Sequence, residues 1–160
     1  MKAAAVPRKM AILFQESSVI SLRTVFVQDN GNLVSFSLTP ADLTALMTRG
    51  RTWSAPKDFE WVMQDTAWLY RRMRSLADEM KLMSDFHCVE QDVRPITFAR
   101  PPEFKVRWAD SGNSVALYLN GEPWAFVNEE TREGYSKGIL RPAGGRLWEQ
   151  ELFERIFKVA

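Results

Sequence analysis

Between Phe59 and Met83 the apolar side chains recur at steps of three and four: Phe59, Val62, Leu69, Met73, Leu76, Met80 and Met83, with Thr66 as the interruption. That spacing predicts one amphipathic helix over the whole stretch, about 40 Å long at 1.5 Å per residue. Its stripe is rich in Met, and Arg71, Arg72 and Arg74 stand beside it. Two uses of the stripe are open. As core, flexible Met side chains fill the gap between a helix and a sheet. As interface, the repeat zips to a partner helix or a second copy. Thr66 at a seam position, flanked by Trp61 and Trp68, suits a helix covered on two sides. Trp68 and Arg72, four residues apart, are spaced for a cation–π contact on its outer side.

Elsewhere the pattern alternates. Asn30-Gly31 is a strong signal for a tight hairpin, because a type I′ turn needs positive φ at both centres. Pairing outward from it sets Val27 against Val34 and Val25 against Phe36 on one face, with Phe26 against Ser35 and Thr24 against Ser37 on the other. The strands then run over about 18–29 and 32–38. Thr39, Pro40 and Asp42 read as a helix start, Leu43, Leu46 and Met47 as its apolar side, and Gly50 as its stop. Ser54, Pro56, Asp58 and Glu60 open the long helix. A Pro-punctuated connector over 86–103 has only a short strand-like piece near Ile96–Ala99. A meander follows: Phe104, Val106 and Trp108 alternate, then Val115, Leu117 and Leu119, and Asn120-Gly121 turns the chain so that Leu117 faces Trp124 and Val115 faces Phe126. A closing helix from Leu147 to about Phe157 points Trp148, Leu152, Phe153 and Ile156 inward.

The resulting expectation is a single α+β domain over 1–160. An antiparallel sheet of about five strands is packed on one face by one long and two short helices, with 1–17 a partly flexible N-terminal segment.

Composition narrows the chemistry. The chain has 160 residues, 46% apolar and 26% charged, with net charge +1, so bulk electrostatics do not announce a nucleic-acid binder. Six Trp and ten Phe are a heavy aromatic load, shared between core and binding surface. One Cys and one His, the neighbours Cys88 and His87, assemble neither a disulfide nor a zinc, iron–sulfur or haem site. Adjacent residues in extended chain point to opposite sides, so they make no thiol–imidazole pair. No metal and no cofactor is expected. No stretch reaches the 18 apolar residues of a membrane span, and Met1–Lys9 lacks the apolar core of a secretory signal. A cytoplasmic protein that does not enter membranes is the expectation.

Catalytic constellations are weak. Glu129, Glu130 and Glu133 cluster among Arg132 and Lys137 as a solvated surface, and Asp78 lies four residues after Arg74 as an ordinary helical pair. No catalytic residue is assigned. The best site candidate is the loop over 129–146, which holds four of the eight glycines together with Tyr135, Lys137, Arg141 and Arg146. Gly144-Gly145 before a helix start can aim amide N–H groups at an anion, and the strand bearing Trp124 feeds the loop.

The first functional reading is therefore a small non-catalytic interaction protein. It docks a protein partner, or itself as a homodimer, through the long helix and the 129–146 loop, with Trp68, Arg72, Trp124, Tyr135, Lys137, Arg141 and Arg146 as binding residues. The second is a binder of single-stranded nucleic acid. Phe26, Tyr118 and Trp124 would stack bases and Arg94, Arg100, Lys105, Arg107, Lys137 and Arg141 would meet phosphates. An enzyme acting on an anionic substrate at 134–146 is the third.

Overall fold

A computed structural model describes residues 11–29, 31, 33–39, 66–72, 92–96, 98–141 and 145–158. Within them the chain is mostly β. One sheet runs in the order β1 (Ala11–Ser17), β2 (Thr24–Asp29), β3 (Leu33–Leu38), β4 (Thr66–Arg72), β5 (Pro95–Ile96). The other runs β10 (Arg146–Leu147), β9 (Glu133–Ser136), β8 (Glu122–Asn128), β7 (Val115–Leu119), β6 (Phe104–Trp108). All neighbours are antiparallel except β4 with β5 and β9 with β10. A single helix, α1 (Gln150–Phe157), is present among the described residues.

This overturns the expected architecture of one sheet carrying a long helix. The middle of the predicted helix is β4. Thr66, the residue that interrupts the stripe, begins this strand, and Thr, Trp and Tyr, at 66, 68 and 70, are residue types enriched in strands. The deciding factor is tertiary. The β2–β3 hairpin leaves a long apolar edge on β3, and β4 pairs with it from Leu33↔Arg71 to Ser37↔Thr66. A short apolar run cannot be assigned to helix or strand from its period alone. The remaining stripe residues and the short helix predicted around Leu43–Met47 lie outside the described residues. The closing helix is present but starts later than expected, because Arg146–Leu147 joins Tyr135–Ser136 as β10.

The first hairpin keeps its faces but not its register. Val27 pairs with Phe36 and Val25 with Leu38, a slip of two residues that leaves every side chain on its expected side because the strand period is two. The Asp29 carboxylate accepts the Gly31 amide at 2.8 Å and sets the wider turn. In the second hairpin Asn120 (φ 52°) and Gly121 (φ 82°) form the tight turn that the sequence signals. Leu119 pairs with Glu122 and Tyr118 with Pro123, and then a bulge at Trp124 shifts the ladder, so that Leu117 faces Ala125 and Val115 faces Val127. Further bulges fall at Leu13 in β1 and Leu69 in β4.

The two sheets share one core. Val25, Val27, Val34, Phe36 and Leu38 from the first pack with Leu69, and with Val115, Leu117, Leu119, Ala125 and Val127 from the second. Full burial of each such side chain contributes about 1.5–3 kcal/mol. A second cluster lies on the other side of the second sheet. There Phe126 stacks on Tyr135 (4.6 Å, 8°) and takes Phe153 and Phe157 of α1 against it. Beyond α1, Lys158 turns left-handed (φ 53°) and sends its amide back to the Glu154 carbonyl.

Backbone bonds stitch the two sheets along one side. Arg71 N–H donates to Arg94 O at 2.8 Å, Arg94 N–H to Gly138 O at 2.6 Å, and Leu140 N–H to Asp92 O at 2.7 Å. Val93 bridges Ile139 across the same gap. Here the Leu69 and Trp124 bulges meet: the Trp124 indole N–H donates to the Leu69 carbonyl at 3.1 Å. Gly138 lies so close to that carbonyl that a Cβ would overlap it.

Two substitutions test this junction. Trp124→Phe removes the donor from a part-buried carbonyl and is expected to cost about 1–3 kcal/mol. Gly138→Ala forces backbone apart and is expected to cost about 3 kcal/mol. Denaturant unfolding checks both. A Gly138→Ala protein as stable as the parent contradicts the close approach.

Candidate binding surfaces

In the 129–146 region the cationic side chains are matched to carboxylates. Lys137 Nζ lies 3.7 Å from Glu122 and 4.7 Å over the Trp148 ring. Arg141 meets Asp92 at 2.7 Å, and Arg146 donates to Glu133 at 2.6 Å. That last bond, reinforced by the Glu133 charge, raises the Arg146 pKa above its ordinary value. Tyr135 is buried against Phe126. Trp124 is half-buried, with its indole N–H committed to Leu69. The structure thus brings Trp124, Tyr135, Lys137, Arg141 and Arg146 into one neighbourhood of paired charges and stacked rings. Trp68 and Arg72 belong to β4, and their side chains lie outside the described ones.

The residues named for nucleic acid are dispersed. Phe26 is buried in β2. Tyr118 packs 6.4 Å from Phe153 beneath α1. Arg94, Arg100, Lys105 and Arg107 are exposed, and Lys105 lies 3.7 Å from Glu103. Lys105 and Arg107 share one face of β6, an edge strand of the second sheet among the described residues. Positive side chains there are a common guard against strand-to-strand association. Among the described residues, no group of three or more His, Cys, Asp or Glu is arranged to hold a metal ion, and no helix is long and apolar enough to cross a membrane.

Two features escaped the sequence pattern. The first is the turn over 18–23, which replaces the expected beginning of a strand. The Ser18 hydroxyl accepts the amides of Ile20 (3.1 Å) and Ser21 (3.2 Å), while Ser18 N–H donates to Arg23 O and Leu22 N–H to Ser18 O. Side-chain bonds of this kind compete with a ladder and favour a turn. Ser21 Oγ donates to Gly112 O at 2.6 Å. Gly112 sits at φ 74°, and a Cβ there would strike Ser18 Oγ and the Ser21 backbone. The buried Arg23 donates from Nε to Thr39 O at 2.8 Å and anchors the base. Thr39, expected as a helix cap, uses its hydroxyl to bond both the N–H and the C=O of Thr24. On this fixed support Val19 is 92% exposed, Ile20 65% and Leu22 66%. Leu22 holds φ 64°, a conformation that costs a non-glycine residue about 1 kcal/mol or more.

The second feature is a cleft of about 420 Å³ at the other end of β1. Leu13, Tyr70, Ile96 and Phe104 form its walls, and Phe98, Ala99, Arg100, Pro101 and Pro102 form its rim. Tyr70 and Phe98 meet edge to face at 5.4 Å, and Phe14 and Phe104 tilt together at 6.0 Å. The sequence signals were present: serines bracketing Val19 and Ile20, and a double proline after Phe98 and Arg100. Neither carries a period. Comparison with family models, with curated proteins and with solved structures finds no match for the chain.

One ion pair has a clear pH signature. The Lys158 ammonium, hydrogen-bonded to Asp110 at 2.6 Å and adding its charge, holds that carboxyl below its ordinary 3.8, and Arg107 lowers it further. The same bond raises Lys158. For a depressed carboxyl the contribution to stability is complete above the unfolded value and is lost as pH falls through the folded one. Carboxyl NMR titration is expected to place Asp110 below 3.8, with Lys158→Ala bringing it back up. No response to that substitution rules out the pairing in solution.

Proposed function

We propose that this chain is a non-catalytic docking protein whose partner is a second copy of itself, joined through β1 and the adjoining 18–22 turn. The observation that carries the reading is the set of exposed Ile12, Val19, Ile20 and Leu22 side chains held on locked backbone. Large apolar groups left in water on a fixed support mark an association surface more than a solubilising one. Their conformation is set before contact, so little ordering entropy opposes binding.

Charge argues for self-pairing. Among the described residues β1 is an edge strand of its sheet, with no Lys, Arg or Pro in Ala11–Ser17. Its one charged residue, Glu16, already accepts the Trp108 indole N–H at 2.9 Å. The edge strand of the second sheet beside it, β6, bears Lys105 and Arg107, which penalise head-to-tail pairing of β1 with β6. A twofold β1 contact brings like apolar surfaces together and closes after two copies. The bulge at Leu13 leaves Phe14–Ser17 as the regular edge, and the turn beyond it extends the surface. Paired cations in the 129–146 region, buried Phe26 and a Tyr118 packed against Phe153 favour this reading over nucleic-acid binding.

Size-exclusion chromatography with light scattering tests it. A dimer is expected, with Ile20→Asp giving a folded monomer at the same concentration. Gly112→Ala, which pushes the turn off its support, is expected to weaken the dimer about tenfold. A parent protein that stays monomeric at high micromolar concentration overturns the proposal.

A further inference from the structure

The cleft at the start of β1 takes Leu13 from that strand but is otherwise lined by Tyr70, Ile96 and the 98–104 segment, and its chemistry identifies a ligand class. We infer that it is a binding site for a small amphipathic anion, a carboxylate with an unbranched or aromatic apolar body. The lining is mostly apolar, with Leu13, Ile96, Phe98 and Phe104 around the space, and Tyr70 and Arg100 bring polar side-chain atoms to it. Its size of about 420 Å³ falls in the range of small-molecule sites. At about 30 Å³ for each water-sized group, it holds roughly a dozen non-hydrogen atoms.

The chain goes to some length to keep this space open. The Leu13 bulge adds a residue to β1 and turns that side chain toward the cleft, a use to which bulges beside functional sites are often put. The Leu69 bulge in β4 does the same for its neighbour Tyr70. Pro101 and Pro102 fix the rim in advance, so a ligand meets a wall that needs no ordering. Arg100 gives the charge. It is exposed and lines the cleft; like Arg94 and Arg107 it forms no ion pair among the described residues, unlike Lys137, Arg141, Arg146 and Lys158. A guanidinium free at the lip of an apolar cleft suits the fork geometry of a carboxylate, with the apolar body of that ligand lying inside.

Isothermal titration with decanoate, decanol and decylamine, each below its micelle-forming concentration, separates the parts of the inference. Decanoate is expected to bind at one site per chain, at least tenfold tighter than decanol, with decylamine weakest. Arg100→Gln is expected to weaken decanoate at least fivefold and leave decanol unchanged. Ala99→Trp, at the exposed rim, is expected to fill the cleft and abolish binding of all three without unfolding the chain. Failure of decanoate to bind, equal binding of decanoate and decanol, or retention of binding by Ala99→Trp each overturns the inference. Self-association measured in the same samples reports on the dimer independently, because Arg100 and Ala99 lie outside the proposed contact.

Discussion

The fold depends on one meeting of irregularities. A strand ladder uses its carbonyls in pairs, so each extra residue leaves a polar group that must be answered elsewhere. At Leu69 and Trp124 two such residues answer one another across the sandwich, indole N–H to carbonyl. Gly138 lets β9's continuation approach that carbonyl closely. From this point backbone bonds spread through Arg71, Arg94 and Gly138 and lock the first sheet to the second. Apolar burial supplies most of the driving force, but it is non-directional. The bulge contact fixes how the two sheets are aligned.

The same device builds the surfaces. Bulges in β1 and β4 supply Leu13 and Tyr70 to the cleft, where a regular ladder would alternate side chains strictly between faces. At the far end of β1 the serine-bonded turn leaves the sheet altogether and lifts Val19 and Ile20 into water. In both places departure from regular strand geometry, held by specific hydrogen bonds or packing, creates the features that a sandwich of ideal strands would lack.

Legibility in the sequence followed the same division. The meander, the Asn120-Gly121 turn and the closing helix were readable because strand alternation and Asn-Gly turns are local, while the first hairpin formed with a wider turn than Asn30-Gly31 signals. The face assignments of the first hairpin survived a two-residue slip for the same reason. What failed was Phe59–Met83, read as one helix. Its steps of three and four are a helical period, but the stripe is interrupted at Thr66, where β4 begins, and pairing with the edge of β3, distant in sequence, overrides the local pattern. The bulges left no trace in periodicity, so the altered partner of Leu117 and the cleft walls were invisible. Trp124, Lys137, Arg141 and Arg146 were found as neighbours, but their pairing with Leu69, Glu122, Asp92 and Glu133 depends on long-range placement.

Charge placement ties these observations together. A chain with net charge +1 has enough carboxylates to silence most of its cations, and around 129–146 it does so at close range. Not every described cation is matched in this way: Arg94, Arg100 and Arg107 have no carboxylate partner at ion-pair distance among the described residues. Lys105 and Arg107 guard an exposed strand edge, where positive side chains oppose unwanted pairing. Arg100 guards no edge; it sits at the mouth of an apolar cleft, on a rim stiffened by two prolines. Beside β6, β1 carries no Lys or Arg and runs into an apolar turn. Fixed, unpaired groups of opposite character, one apolar and one cationic, therefore occupy the two ends of β1. Separate occupants explain this arrangement better than one continuous surface, because a contact that buries Val19 and Ile20 has no means of also satisfying Arg100.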